Sequence, residues 1–247
     1  MFNGDGMILW VDFETRSKCD LKKHGVYNYA QDGTTEVLCM SYAFDDEDVV
    51  TWTGGAFPDR VRNHTGEIRA HNAAFERLIF WYVLQIEFKL EQFYCTAAQA
   101  RANCAPGSLE DVGRFAGASM KKDHRGSQLI RLLSIPRADG TFNTSLDLMS
   151  EMVAYCEMDV KAMRAVSLGL RQLSKNELDD YLAMLGSDSD TNADTNAYSF
   201  SKIAYEKPPA PPPPAPYWPN SKIKLTTLAW IDKRKKPKIK TNPPKWF

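Results

Sequence analysis

Near the start of the chain the sequence reads Ile8-Leu9-Trp10-Val11-Asp12-Phe13-Glu14-Thr15, an apolar run that ends in two carboxylates. Side chains alternate between the two faces of a strand, so Asp12 and Glu14 are expected on the same face. Like charges at the end of a buried strand repel each other and lose solvation. A hard divalent cation such as Mg2+, which takes oxygen ligands, would remove that penalty. The pair therefore predicts half of a metal site; the alternative is an Asp-x-Glu in a surface turn.

The composition is that of an ordinary globular protein. The chain has 247 residues, of which 43% are hydrophobic and 25% charged. No apolar stretch approaches the ~18 residues that a membrane span needs, and Met1–Gly6 has no secretory-signal pattern. We therefore expect a cytoplasmic protein. No zinc-type spacing occurs among the cysteines, which are expected to be free thiols: Cys19, Cys39, Cys95, Cys104 and Cys156.

A formal net charge of zero hides an acidic body and a basic tail. From residue 201 to residue 247, eleven Lys or Arg face only Glu206 and Asp232, a net charge of about +9. Pro208–Pro219 is proline-rich, which favours an extended spacer. We therefore predict a folded domain over 1–186, a linker over 187–220, and a basic tail over 221–247 that contacts a polyanion or a protein partner.

Hydrophobic patterns predict strands first and helices later. The expected strands are Met7–Glu14, Val37–Phe44 and Val49–Thr53, joined as an antiparallel meander, with a further strand at Phe93–Thr96. The expected helices are Ala73–Gln85, one that starts at Ser108, Gly126–Leu133, Ser150–Leu173, and one from the capping box at Ser174 to Leu185.

Two further segments carry acidic groups. In His71-Asn72-Ala73-Ala74-Phe75-Glu76, Asn72 is expected to cap a helix and Glu76 lies one turn inside it. Tyr155 and Asp159 are four residues apart, hence on one face of a helix. Each segment alone is also compatible with an ordinary surface helix.

Taken in order, these motifs resemble the 3′–5′ exonuclease domain of bacteriophage family A DNA polymerases, within the DEDD nuclease superfamily. That family has Asp-x-Glu on the first strand, Asn-x-x-x-acid on a helix and Tyr-x-x-x-Asp on a late helix. The stretches from Pro106 to Glu110 and from Lys122 to Arg131 look like the phage branch. The resemblance covers residues 7 to 185 and implies an α/β fold, a ribonuclease H-like mixed sheet flanked by helices.

The resemblance also implies a set of site residues. The second motif usually ends in Asp, whereas this chain has a Glu that is one methylene longer. Tyr155 marks the tyrosine subclass, because Ala154 stands where the sister subclass has His. The implied metal carboxylates are Asp12, Glu14, Glu76 and Asp159.

Phosphodiester hydrolysis by such a set uses two Mg2+ or Mn2+ ions ~3.5–4 Å apart, which activate a water and stabilise the leaving oxygen. By this resemblance Asp12 bridges the ions, Glu14 and Asp159 serve the nucleophile side, and Glu76 serves the leaving-group side, mostly through water. The Tyr155 hydroxyl orients the attacking water, since a phenol with a pKa near ~10 is a poor base.

The expected DNA contacts lie beside the carboxylates and in the tail. Phe13 and Phe75 are candidates for stacking on a base, although both could equally be core residues and the alternation points Phe13 away from the metals. Asn72 is a further candidate. The tail candidates are Lys233, Arg234, Lys235 and Lys236.

The predicted function is a metal-dependent 3′–5′ DNA exonuclease that proofreads single-stranded or frayed 3′ ends. About sixty residues follow the last predicted helix, too few for a polymerase domain, so the polymerase partner is expected on another chain, in a host cytoplasm if the protein is phage-encoded. Two alternatives stay open: a non-catalytic replication adaptor with an exonuclease fold, and an RNA 3′-trimming exonuclease.

Overall fold

The computed structural model describes residues 6–115 and 124–186. The predicted linker and basic tail, including Lys233, Arg234, Lys235 and Lys236, lie outside the described residues. Within the described ranges, no helix has both the length and the apolar content that crossing a bilayer requires.

A five-stranded mixed sheet forms the centre of the fold, in the order β3-β2-β1-β4-β5. The first three strands are antiparallel, as predicted, whereas β4 runs parallel to β1, and β5 runs parallel to β4. The sheet is flanked by helices, so the predicted α/β class is confirmed and the architecture is consistent with a ribonuclease H-like fold. The strands are β1 Leu9–Arg16, β2 Glu36–Phe44, β3 Val50–Trp52, β4 Ile68–Ala70 and β5 Phe93–Cys95.

Eight α-helices lie in the described ranges. The predicted helix over Ala73–Gln85 is α-helical only to Leu78 and continues as a π-helical turn, Ile79–Val83, before a short 3-10 turn, Leu90–Gln92. The helices are α1 Leu21–Gln31, α2 Asp59–Arg62, α3 Ala73–Leu78, α4 Thr96–Ala102, α5 Leu109–Phe115, α6 His124–Leu133, α7 Leu146–Gly169 and α8 Lys175–Gly186.

The two faces of β1 are buried against different layers. Trp10 packs with Ala43 of β2 and with Val160 and Met163 of α7, so α7 covers the face that also carries Asp12 and Glu14. On the opposite face, Phe13 packs against the π-helical turn. Because β1 is the central strand, Asp12 and Glu14 lie within the sheet and not at the tip of a strand.

Candidate metal centre

Three carboxylates converge where the middle of β1 meets α7. One oxygen from each of Asp12, Glu14 and Asp159 lies within 4.8 Å of the others. Alternation along β1 brings the first two to one face, and the packing of α7 on that face adds the third. Glu14 is only 8% exposed, and the other two side chains are half-buried. In residues 6–115 and 124–186, this is the only cluster of three or more acidic, His or Cys side chains that could hold a metal ion.

The electrostatics of this cluster favour a bound cation. Burial and then the nearby Asp159 raise the pKa of Asp12 to about 8, although a hydrogen bond from Cys156 opposes the shift. Burial also raises the pKa of Asp159 to about 6. Burial, followed by the charge of Asp12, raises the pKa of Glu14 well above its ordinary value. An all-oxygen donor set with this unrelieved repulsion is what Mg2+ or Mn2+ would neutralise.

Glu76 lies near Asp12 but is not one of the three carboxylates that converge within 4.8 Å. β4 runs parallel to β1, with Arg69 opposite Trp10, so the chain that leaves β4 enters α3 next to Asp12. Glu76 is 3% exposed, and its Oε2 has no hydrogen-bond partner. Burial and then Asp12 raise its pKa well above the ordinary value. A buried carboxylate oxygen without a partner needs a ligand such as water or a metal.

Tyr155 lies one turn before Asp159 on α7, on the same helix face as predicted. Its hydroxyl lies near the Asp159 carboxylate. Burial and then the charge of Asp159 raise the pKa of this phenol far above its ordinary value. The hydroxyl therefore stays protonated, and it can orient a water by hydrogen bonding but cannot act as a base.

Asn72 occupies the N-cap position of α3, as predicted, but its side chain does not cap the helix. Asn72 precedes α3 in a left-handed conformation, with φ 79° and ψ 51°, and its side chain makes no capping hydrogen bond. Instead its backbone oxygen accepts a hydrogen bond of 2.9 Å from the Phe75 amide. The exposed amide of Asn72 is thus left facing solvent, four residues before Glu76.

The two phenylalanines predicted to contact bases have different surroundings. Phe13 is 5% exposed and packs edge-to-face on Phe80, with ring centroids 4.9 Å apart. Too little of its ring is exposed for a base to stack on it, so Phe13 is a core residue. Phe75 is half-buried, with its ring centroid 6.1 Å from that of Tyr29, and part of its surface stays accessible.

Two buried thiols beneath the carboxylates were not predicted. The Sγ of Cys156 lies 3.2 Å from Oδ2 of Asp12 and 3.5 Å from its backbone oxygen, and donates to both. Cys39 lies opposite Glu14 in the sheet and contacts Cys156. All five cysteines are free, as expected. Sequence shows that Cys156 follows Tyr155, but its contact with Asp12 depends on how α7 docks on β1.

The chain is similar to part of a phage enzyme. It is 32% identical over 174 residues to the "DNA polymerase" of Bacillus phage SP02, a match that covers 64% of this chain and 27% of that protein. The matched region is thus about a quarter of the length of the relative. No protein-family model matches the sequence.

Proposed function

We propose that this protein is a metal-dependent 3′–5′ exonuclease that hydrolyses phosphodiester bonds at the 3′ ends of DNA. One observation carries the proposal. Asp12, Glu14 and Asp159 converge in a partly buried cluster, in which one oxygen of each lies within 4.8 Å of the others. Burial raises all three pKa values, the charges of neighbouring carboxylates raise those of Asp12 and Glu14 further, and no Lys or Arg lowers them. A structural role would not require such a set, because converging acids without a counter-charge destabilise the fold.

The residues of the site have distinct roles in this reaction. Asp12, Glu14 and Asp159 would hold the divalent ions, and Glu76 would contribute through its free Oε2, directly or through water. Bound divalent ions supply an activated water and stabilise the departing 3′ oxygen. Tyr155, whose hydroxyl lies near Asp159, orients the attacking water by hydrogen bonding. Asn72 and Phe75 contact the terminal nucleotide of the strand.

The similarity to a phage DNA polymerase supports DNA, and not RNA, as the substrate. It also supports a role beside a polymerase, in which the enzyme removes misincorporated nucleotides from a frayed primer end. In this proposal residues 1–186 form the catalytic domain. Residues 187–220 act as a linker, and the basic segment 221–247, with Lys233, Arg234, Lys235 and Lys236, binds DNA phosphates or the polymerase.

A polarity assay tests the proposal. A single-stranded DNA labelled at its 5′ end, incubated with protein and Mg2+ or Mn2+, should shorten one nucleotide at a time from the 3′ end. The same strand with a 3′-terminal phosphorothioate linkage should resist cleavage, and a matched RNA should be cut more slowly. Absence of metal-dependent shortening would contradict the enzyme and favour the adaptor alternative, whereas faster cleavage of the RNA would favour the RNA-trimming alternative.

A further inference from the structure

A glycine of α6 lies directly against the ring of Tyr155. Gly126 is buried, and a β-carbon on it would lie 2.6 Å from Cζ of Tyr155, 3.0 Å from Cδ2, and closest of all to Cε2. Real β-carbons essentially never approach other atoms within 3.0 Å. Only a glycine therefore lets α6 come this close to the tyrosine ring.

The backbone of Gly126 does not itself require glycine. The residue lies inside α6, and its φ is not among the positive values that favour glycine. Glycine in a helix interior is less favourable than alanine, because it loses more backbone freedom on folding. The space occupied by the Tyr155 ring is thus the reason that the structure offers for glycine at this position.

The helix that carries Gly126 is fixed in place. Leu129 and Leu133 are at most 1% exposed, and they pack in one cluster with Met152 and Cys156 of α7. At the start of α6, Arg125 Nε donates to Glu151 Oε2 of α7 at 2.6 Å. Since α6 cannot easily retreat, a side chain at position 126 would displace the ring, and with it the hydroxyl that lies near Asp159.

We propose that Gly126 is a positioning residue of the exonuclease site, whose lack of a side chain lets α6 hold the Tyr155 ring with its hydroxyl beside Asp159. The inference rests on the proposed function for its catalytic consequence. Its structural content, the contact between Gly126 and the ring, does not depend on that function.

The kinetic test compares two glycine-to-alanine substitutions. Gly126→Ala must move the ring by about 1 Å to reach ordinary contact, and a misplacement of that size lowers turnover by about 10- to 100-fold. We expect kcat to fall by this factor while KM for DNA changes by less than about twofold. The matched control is Gly169→Ala, because a β-carbon there meets nothing within 4 Å; it should keep the turnover of the unsubstituted protein.

A second background separates positioning from general damage. In a Tyr155→Phe protein the hydroxyl is absent, so Gly126→Ala should cause little further loss of kcat, less than about twofold. An equal loss in both backgrounds would overturn the proposal. If Gly126→Ala does not fold, the double variant Gly126→Ala/Tyr155→Ala is expected to fold, because it lacks the ring that the new β-carbon would strike. If the double variant does not fold either, the contact with the ring is not the reason for glycine at this position.

Fluorine NMR gives a readout that needs neither activity nor metal. In protein labelled with 3-fluorotyrosine, the Tyr155 resonance is assigned by its loss in Tyr155→Phe. Gly126→Ala should shift this resonance, and Gly169→Ala should leave it in place. If the unsubstituted protein is inactive but the shift occurs, the proposed function is wrong and the contact stands. If the protein is active and Gly126→Ala changes neither kcat nor the resonance, the inference is wrong.

Discussion

At the scale of single residues, the burial and the neighbours of Asp12 explain its raised pKa. Its carboxylate lies next to those of Glu14 and Asp159, and the hydrogen bond that it receives from a protein donor comes from the weakly polar thiol of Cys156. A carboxylate with a pKa of about 8 is largely protonated near neutral pH in the absence of metal. Binding of a divalent ion should therefore release protons from the cluster.

Whether Glu76 takes part in the metal site needs an experiment, because the resembled motif usually has Asp at this position and Glu76 is not one of the three converging carboxylates. Glu76→Gln keeps the shape but removes the charge, so we expect at least a ~10-fold loss of kcat. Glu76→Asp, the residue that the resembled motif usually carries, should keep more activity than Glu76→Gln. The measurement is the rate of nucleotide release as a function of Mn2+ concentration. Equal rates for Glu76→Gln and the unsubstituted protein would remove Glu76 from the site.

For single residues, the sequence predicted which side chains form the site better than it predicted their local conformation. Strand alternation is a local rule and predicts that Asp12 and Glu14 share a face, whereas the convergence of Asp159 with them was expected only from the resemblance. Strand alternation also placed Phe13 on the face away from the carboxylates, where the structure buries it. The left-handed backbone of Asn72 depends on tight turn geometry, which no simple spacing of residue types encodes.

At the scale of elements, the site depends on how α7 docks on the middle of β1. The predicted helix over Ser150–Leu173 begins earlier, at Leu146, where Ser145 caps it with a 3.5 Å contact to the Leu148 amide. The strand β4 was not predicted, since three residues are too few to show a period. The helix α1 was also missed, because its apolar pattern is weak and Gly25 interrupts it at φ 77°.

The thiol between these two elements gives a test of their docking. Cys156→Ala removes the donor to Asp12 and leaves a small void, so the concentration of Mn2+ needed for half-maximal activity should rise by about 10-fold. Cys156→Ser keeps a donor of similar size and should stay closer to the unsubstituted protein. A metal titration of the hydrolysis rate makes the comparison. Identical titrations for the alanine and serine variants would show that the hydrogen bond does not position Asp12.

At the scale of the whole molecule, the acidic centre should make stability depend on pH. The folded pKa of Asp12 is about 8 and that of Asp159 about 6, both above the ordinary value of 3.8. The folded state thus binds more protons than the unfolded state between those limits, so stability falls as pH rises through them. Carboxylates with a lowered pKa, such as Glu177 at about 2, change the stability only at lower pH. They therefore do not oppose the loss of stability between pH 5 and pH 8.

The expected result is a lower melting temperature for metal-free protein at about pH 8 than at about pH 5, by roughly 5 °C or more. Mg2+ should raise the melting temperature more at the higher pH, because it binds the ionised carboxylates. Asp12→Asn should flatten the pH dependence, whereas Asp46→Asn, at an exposed turn, should not. Differential scanning calorimetry measures all three. A metal-free protein that gains stability from pH 5 to pH 8 would contradict the buried-acid assignment.

The order of the strands, and the position of the site on the central strand, depend on packing between elements that are distant in sequence. The sequence motifs identified the carboxylates and their order along the chain. The packing of α7 on the sheet explains why Asp12 and Asp159, which are distant in sequence, lie close together. The parallel placement of β4 beside β1 brings Glu76 to the same place. This part of the fold could be expected only from the resemblance, since no local pattern specifies which strands pair.

The most direct test is the release of the 3′-terminal nucleotide from single-stranded DNA across a range of Mn2+ concentrations. It compares the unsubstituted protein with Asp12→Asn and with Asp46→Asn, which makes the same chemical change at an exposed site. We expect release that requires the metal, a loss of about 100-fold or more in Asp12→Asn, and full activity in Asp46→Asn. Release that persists without metal, or that survives Asp12→Asn undiminished, would contradict a metal-dependent nuclease centre built on β1 and α7.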